Sequence, residues 1–274
     1  MKGYLKMVEE NKKVSIIMGV YNGMNTLKEA VESIVNQTYS NWELIVCDDQ
    51  STDESLNILN KYALKDSRIK VITNSQNSGL ATSLNQCLKY VTGSYIARMD
   101  ADDISMLDRL EKQVRFLDEH PEIDLVGTEM QEFSEKGYGA VVKNKKNPTK
   151  YDVPKGAPFC HATIMVRTET MEKLGGYRIS KHTMRTEDVD LWYRFFAGGY
   201  KGENIEEPLY LVRMDDEAYK RRKLKYMFHA SYIIWYGTSM LKLPVYYKIY
   251  CLKPLLSWLL PPNTKRKLRN LLIR

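Results

Sequence analysis

Two carboxylates one residue apart, following a short apolar run over residues 94–99, are the first groups in this chain that could do chemistry. They are Asp100 and Asp102 of Asp100-Ala101-Asp102-Asp103. Carboxylates so placed suit a hard divalent cation such as Mg2+ or Mn2+, which binds through oxygen and keeps room for phosphate oxygens. A cation there would stabilise the charge that grows on a departing diphosphate. The same residues also fit a local role, with Asp103 and Ser105 capping the next helix. Asp188, in Glu187-Asp188 ahead of Leu191, Trp192 and Phe195, could take a proton from an acceptor hydroxyl. Acids in a first helical turn are equally ordinary partners of the helix dipole. Asn77-Ser78-Gly79-Leu80 opens a helix whose N–H groups could approach phosphate, or is a plain turn.

These groups need a scaffold, and the hydrophobic pattern supplies one. Residues 14–20 form a nearly continuous apolar run, as expected of a strand buried on both faces. A helix follows with Leu27, Ala30, Val31, Ile34 and Val35 at helical spacing, and Thr26 with Glu29 reads as a capping box. Further strands are expected over 42–47, 69–73, 94–99 and 125–130. Helices lie between them, and Ser51, Thr52 or Asp53 is available to cap the second. Alternating strands and helices predict an α/β fold with a mostly parallel central sheet flanked by helices. Ligands of such sheets bind beyond the carboxyl ends of the strands. Tyr21-Asn22, Asp48-Asp49 and Asp100-Asp102 all fall there. Residues 131–160 look irregular. A short strand over 163–167 and a helix over 187–196 follow.

Charge divides the chain near residue 217. Residues 218–274 hold 13 Lys and Arg and no Asp or Glu, whereas residues 1–217 hold 28 basic against 34 acidic residues. The basic part, with Trp235, Tyr236, Tyr246, Tyr247, Tyr250 and Trp258 among its lysines, lacks an apolar run long enough to span a bilayer. It fits an amphipathic helical extension lying on an anionic membrane surface, or a helical lid with a solvated basic face. No RNA-binding motif accompanies it, so nucleic acid is not an expected partner. Cys47, Cys87, Cys160 and Cys251 form no paired motif and read as reduced thiols. The N-terminal residues carry no signal-peptide pattern, and the expected location is cytoplasmic. The four histidines are not at zinc spacing, and His161 reads as a hydrogen-bonded interior residue. No dinucleotide fingerprint or Walker loop is present.

Several segments together are similar to the family 2 glycosyltransferases of the GT-A (Rossmann-like) fold. They are Val14-Ser-Ile-Ile-Met-Gly-Val-Tyr-Asn-Gly23, Ser33-Ile-Val-Asn-Gln-Thr-Tyr39, Glu43-Leu-Ile-Val-Cys-Asp-Asp-Gln-Ser-Thr-Asp53, Asn77-Ser-Gly-Leu80, Gly93-Ser-Tyr-Ile-Ala-Arg-Met-Asp-Ala-Asp-Asp103, Arg109-Leu-Glu-Lys-Gln113, Gly175-Gly-Tyr177 and Thr186-Glu-Asp-Val-Asp-Leu-Trp192. The resemblance spans about residues 13–213 and implies a nucleotide-sugar-dependent catalytic domain over 1–217, followed by the basic extension over 218–274. It implies that Val20, Tyr21, Asn22, Asp49, Gly79, Arg98, Asp100 and Ala101 receive the donor nucleotide. Asp102, with Asp100, would hold Mn2+ or Mg2+, and Asp188 would be the base of an inverting transfer from a UDP-sugar. The run from Glu207 through Arg222 resembles enzymes of bacterial capsule, O-antigen and exopolysaccharide synthesis. That likeness implies a polyprenyl-diphosphate-linked saccharide acceptor and a peripheral position at the inner face of the membrane. One departure stands out. Where the family often has Arg-x-His, this chain has Arg213-Met214-Asp215, so the metal has fewer protein ligands or Asp215 substitutes. A nucleotidyltransferase that makes a nucleotide sugar, and a non-catalytic nucleotide-sugar-binding protein with a basic docking tail, are the rival readings.

Overall fold

A computed structural model describes residues 12–214 and 223–259. Its centre is a nine-stranded sheet. In chain order the strands and helices begin β1 (Val14–Val20), α1 (Leu27–Val35), β2 (Trp42–Asp48), α2 (Ser55–Lys65), β3 (Ile69–Thr73), α3 (Leu80–Leu88) and β4 (Tyr95–Asp100). They continue with β5 (Ile104–Ser105), α4 (Arg109–Glu119), β6 (Leu125–Ser134), β7 (Gly137–Val142), β8 (Met165–Arg167), α5 (Thr168–Leu174), α6 (Glu187–Ala197) and β9 (Gly202–Arg213). Helices α7 (Leu224–Met240) and α8 (Lys253–Leu259) end the described chain, with a 3-10 segment (Val245–Leu252) between them.

The sheet runs β3-β2-β1-β4-β8-β6-β9-β5, with β7 beside β6. Strands β3, β2, β1 and β4 are parallel, as the alternating pattern predicts. Beyond β4 the sheet is mixed. Strand β8 is antiparallel to both β4 and β6, while β6 and β9 pair in parallel. The long β9 and the β6–β7 hairpin are not legible in the sequence, and the hairpin lends order to part of the 131–160 stretch expected to be irregular. Their polar outer residues blur the alternation that marks a strand.

Side chains alternate across the sheet, and this decides which face carries the chemistry. Val14, Ile16 and Met18 of β1, with Tyr95, Ala97 and Met99 of β4, pack under α1, α2 and α4. Ile17 of β1 and Ile96 of β4 enter the opposite cluster, with Leu84 of α3 and Leu191, Trp192 and Phe195 of α6. Arg98 and Asp100 therefore share the face of Ile96, on which α6 sits. Helix α7 adds Ile233 and Ile234 to that same cluster. A Cβ at Gly237 would overlap the Tyr193 ring, so only glycine admits this close a crossing of α7 over α6. No described helix is long and apolar enough to cross a membrane.

The expected capping box at α1 is not formed, since Thr26 makes no side-chain cap bond. The Thr26 hydroxyl instead donates to the Ala101 carbonyl at 3.0 Å, and Glu29 pairs with Arg213. Tertiary partners from the acidic loop and β9 outcompete the local box. At α2 the cap position falls to Glu54 rather than Ser51, Thr52 or Asp53, although Asp53 Oδ1 accepts the Ser55 N–H at 2.9 Å. Asp103 and Ser105 do not cap α4, whose cap position is Asp108.

Candidate active site

The carboxyl ends of β1, β2 and β4 meet at one edge. The turn after β1 is locked to the turn after β2. Asn22, in the left-handed region with φ 53°, accepts the Thr52 N–H on Oδ1 at 2.8 Å, and its own N–H donates to Ser51 Oγ at 3.0 Å. Val20 is buried, and its carbonyl accepts the Asp49 N–H at 2.7 Å, so it can serve a ligand only through backbone. Tyr21 beside it is 51% exposed. Asp49 is buried and fully engaged with the loop opening α3. Oδ1 accepts from Asn74 Nδ2 at 2.7 Å and the Ser78 N–H at 2.8 Å, and Oδ2 accepts the Gly79 N–H at 2.7 Å. Gly79 has φ +86°, a conformation L side chains rarely adopt. Four of the sequence-derived donor residues thus form one braced set of loops.

At the end of β4, Arg98 is 3% exposed and pairs through Nη1 with Asp100 Oδ2. Burial works against its charge, yet Asp100 outweighs this and holds the guanidinium above its ordinary value. The Asp100 N–H donates to Tyr210 Oη at 3.0 Å. The Ala101 carbonyl is the acceptor for Thr26. Asp100, Asp102 and Asp103 each place a carboxylate oxygen within 4.8 Å of the other two. Asp103 is buried, and burial with repulsion from Asp100 and Asp102 pushes its carboxyl up to about 8. Its Oδ1 accepts the Arg213 N–H at 2.8 Å, while Arg213 Nε donates to the Asp102 carbonyl at 2.9 Å. Three hard oxygen donors that repel one another are a donor set a divalent cation would relieve, so the residues fit Mg2+ or Mn2+. Asp103 is the member that sequence reasoning passed over. Its place in the acidic run was visible, but the cap explanation competed with it. Asp215 lies outside the described residues.

Asp188 starts α6 on the Arg98 face of the sheet. It is half-buried, and burial raises its carboxyl above the usual range, partly offset by the Val189 N–H and by Arg98. Glu187 is buried and raised for the same first reason. Asp190 has a different task. It is 2% exposed and accepts Arg178 Nη1 at 3.0 Å and Arg194 Nε at 2.6 Å, which fixes the helix. His161 shares a 2.8 Å hydrogen bond between Nε2 and the Tyr177 hydroxyl. Burial, then Arg98, keeps it well below its ordinary value. This is the interior histidine expected from sequence. Arg98 is therefore the charge common to both halves, bonded to Asp100 and felt at Asp188.

Two residues of the Arg109–Gln113 motif brace the site from below. Arg109 is fully buried, and its Nη2 donates to the Arg98 carbonyl at 2.9 Å. Gln113 Nε2 donates to the Thr163 carbonyl at 2.8 Å. Together they pin α4 beneath the acidic loop.

The glycosyl transferase family 2 model matches residues 15–175, which contain every one of these loops up to α5. The chain belongs to glycosyl transferase family 2. EpsE of Bacillus subtilis (strain 168) is 48% identical over 250 residues, covering 91% of this chain and 90% of that protein. The UDP-Glc:alpha-D-GlcNAc-diphosphoundecaprenol beta-1,3-glucosyltransferase WfaP of Escherichia coli is 30% identical, covering 87% and 90%. Among solved structures, S. aureus TarS residues 1–349 in complex with UDP superposes with a TM-score of 0.69 at 20% identity, covering 89% of this chain and 70% of that one. The last likeness concerns the fold, which is that of the GT-A glycosyltransferases. This family 2 enzyme is a glycosyltransferase.

Proposed function

We propose that the enzyme transfers a sugar from a UDP-sugar, with inversion, to a saccharide linked to polyprenyl diphosphate during bacterial surface polysaccharide synthesis. The observation that carries this is the shared face. Arg98 holds Asp100 at the end of β4, and the same guanidinium acts on Asp188 at the start of α6. The name of WfaP, a glucosyltransferase acting on a diphosphoundecaprenol-linked sugar, supports the acceptor class.

In this reading Tyr21, Asn22 and the Asp49–Gly79 brace receive the nucleotide. Asp100 and Asp102 hold Mn2+ or Mg2+, with Asp103 as a third oxygen donor. A bound cation supplies charge stabilisation for the departing diphosphate. Asp188 accepts the proton of the acceptor hydroxyl as that oxygen attacks the anomeric carbon from the side opposite the leaving group. One base suffices, and no sugar–enzyme bond forms. A raised carboxyl suits the task, because a stronger base takes the proton more readily.

The extension supports a peripheral place on the cytoplasmic face of an anionic membrane. Val245 is 77% exposed, and Tyr246 and Ile249 are each 67% exposed. These apolar side chains stand among Lys242, Lys248 and Lys253, the composition of an interfacial segment.

A screen of nucleotide sugars with Mn2+ and a synthetic prenyl-diphosphate-linked saccharide tests the reading. The expected result is a disaccharide product and UDP. Release of pyrophosphate from a nucleoside triphosphate would instead restore the nucleotidyltransferase. Metal-dependent UDP-sugar binding without turnover on any acceptor would restore the binding-protein reading.

A further inference from the structure

We infer that a groove between α6 and the C-terminal helices binds the phosphate-proximal end of a single isoprenyl chain, the lipid part of the acceptor. This rests on the lipid-linked acceptor proposed above and assigns it a place.

The groove has a volume of about 250 Å³. Val189 and Trp192 of α6 form one wall, Ile234 of α7 and Pro254 of α8 another, and Lys155 and Lys253 stand at its rim. No acidic residue lines it among the described residues. Lys253 Nζ donates to the Lys155 backbone carbonyl, which holds the Lys253 ammonium at that side of the groove. Asp152 lies 3.6 Å from Lys155 and neutralises it in part, whereas no acid pairs with Lys253 among the described residues.

An apolar slot with ammonium groups at its mouth is complementary to an amphiphile that carries its negative charge at the end of a hydrocarbon chain. A free phosphate would leave the apolar walls unused, and a neutral lipid would leave the cations unused. The volume falls below the usual range of small-molecule sites, about 300–1,000 Å³. It therefore admits the first part of one chain rather than two chains side by side, and the remainder of the chain leaves towards the exposed apolar residues Leu252 and Leu256 that flank this wall (48% and 60% exposed). Position agrees with size. Val189 follows Asp188 directly, so one helical turn supplies the proposed base and a groove wall. A sugar joined to a diphosphate at the rim would extend towards that base.

The test is calorimetric titration of the full chain in chelator, so that diphosphate is not drawn to the acidic cluster. The probes are farnesyl diphosphate, inorganic pyrophosphate, farnesol and a short-chain phosphatidic acid below its micelle concentration. Farnesyl diphosphate is expected to bind at least tenfold tighter than each of the others. Ala230→Trp, which fills the groove, and Lys155→Glu with Lys253→Glu, which reverses its rim without touching the core, are each expected to weaken it at least tenfold. UDP affinity with Mn2+, measured on the same samples, stays unchanged. Equal binding of pyrophosphate, farnesol or phosphatidic acid overturns the proposal, as does unaltered farnesyl diphosphate binding in the lysine variant. Loss of UDP binding with farnesyl diphosphate binding intact would sink the donor reading and leave the groove standing.

Discussion

The Gly79 N–H donates to Asp49 Oδ2 at 2.7 Å, and this bond joins the loop after β2 to the loop that opens α3. Two residues distant in sequence thereby make one rigid platform on the proposed nucleotide side. Gly79→Val forces a β-branched residue into φ 86°, ψ 165°, a region almost reserved for glycine and costing roughly 1–3 kcal/mol. If the loop instead relaxes, the bond to Asp49 is lost. UDP affinity by calorimetry should fall about tenfold, and Asp49→Ala should match it. Wild-type affinity in both variants would remove the platform from the account.

The acidic cluster makes a metal prediction. Asp102→Asn or saturating chelator should abolish UDP-sugar binding while leaving thermal stability nearly unchanged. Replacing Asp103 by Asn should weaken Mn2+ affinity, read by paramagnetic relaxation of water, by about tenfold or more. Undiminished UDP-sugar affinity in chelator would contradict a cation bridge to the diphosphate.

Helix α7 belongs to the folded body, because Ile233 and Ile234 share a cluster with Trp192. It also holds the loop leading to Asp188, since Tyr232 stacks on His182 at 4.4 Å between ring centroids. Gly237→Leu drives a side chain into Tyr193 and should cost about 1–3 kcal/mol by thermal unfolding. Transfer should fall further than UDP binding, because the helix that moves carries the proposed base. An unchanged melting temperature would show that α7 does not pack as described.

The raised carboxyl of Asp188 sets a pH dependence. Burial favours its neutral form, so the base is protonated to a higher pH than an ordinary aspartate, near 3.9. Transfer at low substrate should rise with pH through a limb above that value. Stability has the opposite sign. The unfolded chain gives up this proton first, so folding loses stability as pH rises between the unfolded and folded values. Asp188→Asn should therefore melt no lower than wild type at neutral pH. An acid limb at the ordinary aspartate value would contradict the burial argument.

The parallel half of the fold was legible because β1, β2 and β4 are buried on both faces and read as apolar runs ending in polar residues. Asp100, Asp102 and Asp188 stood out for the same reason, as charges where hydrophobic patterning stops. The rest was hidden by long-range pairing. Nothing local predicts that Arg213 would reach Asp103, that Glu29 would leave its capping box for Arg213, or that Asp49 would spend both oxygens on α3. The braces Arg109 and Gln113 likewise look like any polar helix face until the carbonyls of residues 162–164 are brought against them. The sequence left the basic extension open between an interfacial segment and a helical lid, and the close crossing of α7 over α6 at Gly237 rests on long-range packing that no local pattern announces.

The central claim is that Asp188 activates the acceptor while the Arg98–Asp100 side holds the donor. The most direct measurement is the single-turnover transfer rate of Asp188→Asn beside its affinity for the UDP-sugar. The account predicts a rate lower by about 10²–10⁴-fold, with donor affinity unchanged and a melting temperature no lower than wild type. Transfer at the wild-type rate in that variant would contradict it.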